Sequence, residues 1–332
     1  MSIHSFINGL QVGPAWSHVN LTAHPLIATG NGKTAYLTLD EALTTNRFRI
    51  GETSISGRVP ELKVFNGLSQ PVLLLDGEVL VGAKQNRVLN LTILVPANTE
   101  MTIPVSCVEA GRWQHRSESF VATDRTQFAR GRALKLAQVT RSLYVSKTRS
   151  SDQRAIWREI DAKSQRMNVA SPTAAMSAIY EDNQTKLDDF VRAMPRNDRQ
   201  VGAVFSTGDK VVGLDAFDSA DTFFKAAPKI VRSYAVDALE GPAEASATES
   251  ANNLVRSFLN DIVTMDHLTR FKALGLGDDL RFNGSNVAGA ALEISGQIVH
   301  IVSFPRTLYE GDGEHHPRSA YMMSARMRRT FH

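Results

Sequence analysis

The sequence predicts an α+β protein in which two β-rich parts flank a run of helices. Short apolar runs separated by Gly, Pro, Asn and Ser fill residues 1–123, as in a series of strands and turns. From 124 to 199 Gly and Pro are scarce and apolar residues recur every three or four positions, which indicates helices. Residues 200–306 return to paired apolar runs and predict a second β/α unit, and 307–332 form a basic tail.

The first part is predicted to be mostly antiparallel, because its strands are short and lie close together in sequence. Its six apolar runs are Ala35–Leu39, Phe48–Ile50, Leu62–Phe65, Val72–Leu75, Leu89–Val95 and Met101–Val108. Asp76-Gly77 is a strong signal for a tight turn. We therefore expect another strand to begin at Glu78.

The middle and last parts carry their own start and turn signals. Ser171-Pro172 combines a capping residue with a proline at the first helical position, and predicts that a helix begins there. A helix is also predicted from Ser219 to Leu239, with a break at Pro228. Two hairpins flank this helix: Val201–Phe205 with Val211–Leu214, and Ala288–Ile294 with Gln297–Phe304.

Composition limits the class of protein. The chain has 332 residues, 42% of them hydrophobic, and a net charge of +3, so it is long enough for a sizeable core and not basic enough to make nucleic-acid binding the default. The single cysteine, Cys107, cannot form an internal disulfide and fits a reducing compartment.

The N-terminus lacks the features of a signal peptide, and no apolar run approaches the ~20 residues of a membrane span. We expect a cytoplasmic protein without a membrane segment.

Charge is distributed unevenly along the chain. Residues 112–167 contain thirteen Lys and Arg but only five Asp and Glu, so this segment carries +8 and the remainder −5. A basic helical segment on an acidic body predicts a phosphate-rich ligand such as a nucleic acid, an acidic partner protein, or an intramolecular fit between the two. A solvated helix face explains the same pattern, and the alternatives stay open at this point.

The candidate site follows from the register of one predicted hairpin. If the last two runs of the first part pair with Ile93 opposite Ile103, their odd-numbered apolar residues share one face of the sheet. The same register places Arg87 opposite Glu109. The segment before the first strand, 82–87, and the segment after the second strand, 109–113, then meet at the open end of the hairpin.

Several chemically active side chains would gather at that end. The ligand-binding candidates are Lys84, Gln85, Asn86, Arg87, Arg112 and Trp113. Lysine and arginine suit a phosphate or carboxylate, and an indole stacks on a base. Glu109 and Glu78 are the candidate catalytic residues, as general bases. Each of these residues taken alone is better explained by a structural ion pair or by packing, and only the group as a whole favours a functional site.

Other kinds of site have little support in the sequence. Cys107 falls on the apolar face of the predicted hairpin, so we expect a buried thiol rather than a nucleophile. The chain has no GxSxG, HExxH, CxxC or Walker motif. We predict neither a metal centre nor a bound cofactor.

The segment that carries the candidate site resembles one family. Leu75-Asp76-Gly77-Glu78, Gly82–Arg87, Leu94–Ala97 and Ile103–Trp113 resemble the signature of the ARG and rhodanese–phosphatase-superfamily-associated protein family (ARPP). This bacterial family is named for its association with ADP-ribosylglycohydrolases. Weaker matches cover Pro14–Pro25, Gly213–Asp218 and Ser233-Tyr234, so the resemblance spans most of the chain. The resemblance implies a link to NAD and ADP-ribose metabolism.

Three functions follow from these residues, and whether the protein is an enzyme stays open. The first, which we favour, is binding of a nucleotide or ADP-ribose-like anion. The second is a hydrolase or transferase acting on an ADP-ribose derivative, with Glu78 or Glu109 as base. An ion pair between Arg87 and Glu109 would lower the pKa of Glu109 and argue against that role. The third is nucleic-acid binding through the basic helical segment.

Overall fold

The computed structural model describes residues 2–28, 35–54, 57, 59–114, 117, 119–241 and 249–310. Within these ranges the protein is α+β, as predicted, and no helix is long and apolar enough to cross a lipid bilayer. The predicted basic tail lies outside the described residues from position 311 on.

Eighteen strands and eight helices are described. The strands are β1 Leu10–Val12, β2 Trp16–His18, β3 Leu21–Ala28, β4 Leu37–Thr38, β5 Phe48–Glu52, β6 Glu61–Asn66, β7 Val72–Leu74, β8 Glu78–Gly82, β9 Arg87–Leu89, β10 Ile93–Val95, β11 Thr99–Cys107, β12 Phe120–Thr126, β13 Gln200–Thr207, β14 Lys210–Phe217, β15 His267–Lys272, β16 Asp278–Asn283, β17 Val287–Ile294 and β18 Gln297–Pro305. The helices are α1 Ile3–Asn8, α2 Leu39–Leu43, α3 Ala129–Ser146, α4 Gln153–Arg166, α5 Ser177–Asp182, α6 Gln184–Ala193, α7 Ala220–Ala238 and α8 Glu249–Val263, and a 3₁₀ turn follows at Arg306–Leu308.

The described strands form three sheets. The largest has nine strands in the order β1-β3-β13-β14-β18-β17-β16-β15, with β2 also paired to β3. The second has six strands, β12-β8-β9-β11-β6-β5, and the third has three, β10-β7-β4. The described pairs are antiparallel except for β4 with β7. Because β3 pairs with β13, strands from both β-rich parts share the largest sheet.

The largest sheet buries both of its faces. On β13, the neighbours Val204 and Phe205 point to opposite sides, as the alternation of a strand requires. Val204 belongs to a core that includes Phe6 of α1 and Phe258 of α8. Phe205 stacks on Tyr234 of α7 with the ring centres 4.1 Å apart. Helix α7 therefore lies between this sheet and the part of the chain that carries the candidate site.

The predicted hairpins β13–β14 and β17–β18 are confirmed, but the predicted helix break is wrong. Helix α7 runs continuously through Pro228. Buried side chains lie on both sides of the proline, among them Phe223 and Tyr234. This packing outweighs the hydrogen bond that a proline cannot donate.

The helix start predicted at Ser171-Pro172 is also wrong, because the next helix begins at Ser177. The Ser171 hydroxyl does accept a backbone hydrogen bond, from Ala175 N at 2.9 Å, but it closes a turn. Ala175 forms an isolated bridge with Glu109, and Met176 N donates to the carbonyl of Val108 at 2.9 Å. Attachment to the end of β11 keeps this segment out of a helix.

The hairpin predicted between β10 and β11 does not form. Strand β10 pairs with β7, and the first part of β11 pairs with β6. The rest of β11 pairs with β9, with Leu89 opposite Val105 and Arg87 opposite Cys107. This register differs from the predicted one by two residues, so each side chain keeps its predicted face. However, Arg87 no longer lies opposite Glu109.

The basic segment contributes two cations to the interior. Arg132 of α3 is 1% exposed and donates to both carboxylate oxygens of Asp215, at 2.6 and 3.0 Å. Its Nε lies 3.3 Å from Asp76 Oδ2. Lys135, one turn further on, pairs with Asp76 Oδ1 at 3.0 Å and donates to the carbonyl of Leu89 at 2.6 Å.

A third cation of the segment is buried in the same way. Lys163 of α4 pairs with Asp237 at 2.5 Å and with Glu240. Arg112, the first basic residue of the segment, is also buried and pairs with Glu109. For these four of the thirteen basic residues, the intramolecular fit between basic segment and acidic body is therefore the observed outcome.

Replacing Arg132 with Met should lower the free energy of unfolding by about 3–5 kcal/mol, because Asp215 would stay charged and buried without its main partner. Urea denaturation followed by circular dichroism measures this. The matched control is Arg130→Met on the same helix, where the side chain is 46% exposed and pairs with Glu159. The control substitution should lower the free energy of unfolding by less than about 1 kcal/mol. Equal losses for the two variants would contradict a central role for Arg132.

Candidate functional site

The paired ends of β9 and β11 bring most of the predicted site residues together. The segment 83–86 leads from β8 into β9, and 108–114 follows β11. We call the following residues the loop cluster: Glu52, Lys84, Gln85, Asn86, Arg87, Glu109, Arg112 and Trp113. All but Glu52 are predicted from the sequence, whereas Glu78 lies elsewhere.

Glu109 and Arg112 form a closed ion pair in one half of the cluster. Arg112 Nε and Nη2 lie 2.8 and 2.7 Å from Glu109 Oε2. The other Arg112 donors bond to acceptors in the same loops: the carbonyl oxygens of Ala83 and Gln114 and the side chain of Asn86. The Thr173 hydroxyl donates to Glu109 Oε1 at 3.0 Å. Both charged groups are thus fully engaged within the protein.

These contacts determine the charge state of Glu109. Burial would raise the pKa of its carboxyl, but hydrogen bonds from Arg112, from the Asn86 backbone and from Thr173 lower it below the ordinary value. The carboxylate is therefore ionised at neutral pH and is a poor proton acceptor. The predicted partner of Glu109 was Arg87, and the observed partner is Arg112.

Arg87 occupies the other half of the cluster in a different state. Its side chain is fully buried, and Nη1 donates to Gln85 Oε1 at 2.9 Å. Its Nε and Nη2 have no hydrogen-bond partner among the described residues. Burial lowers the pKa of Arg87, but an arginine starts so high that it stays charged. The cluster thus contains a buried cation with two unused donors.

The indole of Trp113 covers this cation. The centre of its ring system lies 5.3 Å from Lys84 Nζ and 5.8 Å from the central guanidinium carbon of Arg87, within cation–π range. Trp113 is 49% exposed. The indole is therefore the outward-facing part of the cluster.

Glu52, at the end of β5, is a member of the cluster that the sequence does not single out. Both of its carboxylate oxygens are buried and lack a hydrogen-bond partner in the part of the chain that is described. A β-carbon at Gly57 would lie 3.1 Å from Glu52 Oε2 and 3.4 Å from Lys84 Cδ, so both side chains border the same glycine. Glu52 also raises the pKa of Arg87, against the effect of burial.

Two glycines let the loops of the cluster pack closely. The sequence predicts that Gly82 and Gly111 either admit a ligand or bend the strand ends. Gly82 has a φ of +138°, and a β-carbon there would lie 2.7 Å from the carbonyl oxygen of Ser119. A β-carbon at Gly111 would lie 2.9 Å from Thr173 Cα. In the structure both glycines accommodate neighbouring protein backbone.

Glu78 begins β8, as expected, but belongs to a separate ion cluster. Its Oε1 lies 2.8 Å from Lys229 Nζ of α7, and its Oε2 accepts from Leu75 N at 2.8 Å. Lys229 also pairs with Asp40 at 2.7 Å. Glu78 therefore anchors α7 to the turn that precedes β8.

The prediction that Cys107 is buried is confirmed. Its side chain is inaccessible, and burial raises the pKa of the thiol. A protonated, inaccessible thiol does not act as a nucleophile.

The fold and the cluster define an α+β protein whose loops bring together a buried arginine that has no carboxylate partner among the described residues, a carboxylate and an exposed indole. The profile of the ARG and Rhodanese-Phosphatase-superfamily-associated Protein domain family matches residues 9–304, nearly the whole chain, and the protein belongs to that family. No curated protein and no solved structure matches the chain. The resemblance found in the segment 75–113 is thus confirmed as membership.

Proposed function

We propose that this protein binds a nucleotide or an ADP-ribose-like anion at the loop cluster. The observation that carries the proposal is the state of Arg87, which is fully buried and has two donors without a partner among the described residues. Leaving a buried polar group unsatisfied costs about 1–3 kcal/mol, and more for a charged group. A ligand phosphate that accepts from Arg87 would remove this cost.

The other buried arginines support this interpretation. Four arginines are buried among the described residues, and three of them have a carboxylate partner: Arg112 with Glu109, Arg132 with Asp215 and Arg281 with Asp279. Among the described residues Arg87 forms no salt bridge, and its Nη1 donates to the amide oxygen of Gln85. Its free Nε and Nη2 form one edge of the guanidinium, which is the geometry that binds two oxygens of a phosphate.

The neighbours of Arg87 suit the other parts of a nucleotide. The carboxylate of Glu52, which has no hydrogen-bond partner within the described ranges, can accept from ribose hydroxyls, a contact that acidic side chains make in dinucleotide sites. The exposed indole of Trp113 offers a stacking surface for a base, a contact worth about 1–3 kcal/mol. The family's association with ADP-ribosylglycohydrolases makes ADP-ribose the first ligand to test.

The alternative functions have weaker support. Neither glutamate is suited to act as a general base. The carboxylate of Glu109 is occupied by hydrogen bonds and its pKa is lowered, and Glu78 is ion-paired with Lys229. A nucleic acid or an acidic partner that bound the basic segment would not contact the cations that are buried against acids of the same chain, among them Arg132 and Lys163. Binding at the loop cluster requires no such rearrangement of ion pairs.

ADP-ribose should raise the melting temperature of the wild-type protein, and Arg87→Met should remove this shift. Loss of the charge-assisted bonds should weaken binding by at least about tenfold, or 1.5 kcal/mol. Without ligand, the variant should be as stable as the wild type or up to about 2 kcal/mol more stable, because an unpaired buried charge is gone. Thermal shift and calorimetric titration measure these effects.

The control for this variant is Arg49→Met, which removes an exposed guanidinium that lies over the Phe65 ring. This control should keep the wild-type response to ADP-ribose. If Arg87→Met instead destabilises the free protein while the ligand shift persists, Arg87 is a structural residue and the proposal fails.

Glu52→Gln should separate the ribose contact from the phosphate contact. Binding of adenosine 5′-monophosphate should weaken about tenfold, as expected for one lost charge-assisted bond, while binding of inorganic pyrophosphate should be unchanged or tighter. The control is Glu100→Gln, a half-exposed carboxylate on β11 that pairs with Lys63. Equal losses for the two ligands would exclude Glu52 as a ribose contact.

A further inference from the structure

The nine-stranded sheet ends in an open edge at β15. Its other outer strand, β1, has three residues, whereas β15 has six. The outer strands of the smaller sheets are short or covered: β4 has two residues, and Leu276 N donates to the carbonyl of Leu94 on β10 at 2.9 Å. A bridge between Gly51 and Ser119 links β5 to the residue before β12, at the edges of the six-stranded sheet. Among the described strands, β15 therefore presents the longest open edge.

The backbone of β15 alternates between its partner β16 and the open side. Just beyond the strand, Ala273 N donates to the carbonyl of Gly277 at 3.2 Å, in the register that pairs β15 with β16. Because the hydrogen-bonding direction alternates along an antiparallel strand, the even-numbered residues of β15 direct their N–H and C=O groups outward. These residues are Leu268, Arg270 and Lys272. The carbonyl of Lys272 accepts from the Arg149 guanidinium rather than from β16, so the open stretch ends there.

Opposite charges lie at the two ends of this open edge. Asp266, just before β15, and Lys272, its last residue, are exposed and form no salt bridge with a described residue. Between them, Arg270 is already paired with Asp278 and Glu293 of the same sheet. The edge therefore begins with an acid and ends with a base, and neither charge is balanced within the described chain. A strand that is charged in this way complements its own antiparallel copy.

We propose that a second copy of this chain pairs with β15 across a two-fold axis, so that two nine-stranded sheets join into one. Two-fold symmetry makes the two strands antiparallel and places the residue on the axis opposite itself. With Thr269 on the axis, Leu268 lies opposite Arg270 of the second copy, and these outward residues exchange backbone hydrogen bonds. The same register places Asp266 opposite Lys272 of the second copy, once on each side of the axis.

Charge and overlap select this register from its neighbours. An axis at Arg270 would place two guanidinium groups directly opposite each other, which destabilises a sheet. An axis at Leu268 would leave only residues 267–269 of β15 paired with their copies. An axis between two residues would oppose an outward residue to one that bonds to β16, so that no ladder could form. The axis at Thr269 avoids all three faults and balances the charges at both ends.

The dimer formed in this way is weak and reversible. A single pair of strands of this length buries less surface than the ~1,200 Å² of a stable protein–protein interface. The fraction of dimer should therefore rise with protein concentration and fall on dilution. Added salt should favour the monomer, because the pairs between Asp266 and Lys272 lie at the surface and are screened.

The first test places a cysteine on the axis of the full-length protein. In Thr269→Cys the thiols of two copies lie opposite each other within reach of a disulfide, and the native Cys107 is buried and does not interfere. Under mild oxidation this variant should form a disulfide-linked dimer on a non-reducing gel. It should cross-link at least about tenfold faster than the control Thr102→Cys, at an exposed position on β11, because pairing raises the effective concentration of the thiols.

The second test uses sedimentation velocity and needs no added cysteine. The wild type should dimerise as its concentration rises, and Leu268→Pro should stay monomeric, because the proline removes an outward N–H and no bond to β16. The matched control Leu268→Ala keeps this N–H and should dimerise. Equal cross-linking of the two cysteine variants, or a dimer that survives Leu268→Pro, would overturn the proposal. A wild type that is monomeric at every concentration would also overturn it and leave the edge to a strand of another protein.

Discussion

The ion pairs of Arg132 connect the two halves of this structure. One guanidinium joins Asp215 of β14, in the nine-stranded sheet, to Asp76 in the turn before β8. The segment that begins at Asp76 continues through β8 into the loop cluster and β9. Its position relative to the large sheet thus depends on a cation supplied by α3 from between the two β-rich parts.

Buried polar groups are used in opposite ways in two parts of the structure. On β14, the carboxylate of Asp215 accepts from Arg132 and from the Tyr234 hydroxyl and lies 3.3 Å from His300 Nε2. In the loop cluster, the side chain of Arg87 and the carboxylate oxygens of Glu52 are buried and keep unused hydrogen-bonding capacity among the described residues. A satisfied network fixes the positions of its side chains, whereas an unsatisfied one favours a ligand that completes it.

Local patterns predict the elements better than their partners. The hairpins β13–β14 and β17–β18 follow from adjacent apolar runs, and the buried Cys107 follows from alternation. The pairing of β10 with β7 and of β11 with β6 does not follow from such local patterns, because β7 and β6 are equally apolar strands that lie further away in sequence. The residues near the site were predicted through proximity in sequence. The sequence does not predict Glu52 as a member of the loop cluster, because only the pairing of β5 with β6 and of β6 with β11 brings it there.

A crystal structure of the protein with ADP-ribose would test ligand binding at the loop cluster without any variant. We expect a phosphate whose oxygens lie about 2.7–3.2 Å from Nε and Nη2 of Arg87, with Glu52 on a ribose hydroxyl and Trp113 against the base. A structure in which Arg87 pairs with Glu52 and the loop cluster holds no ligand would contradict it.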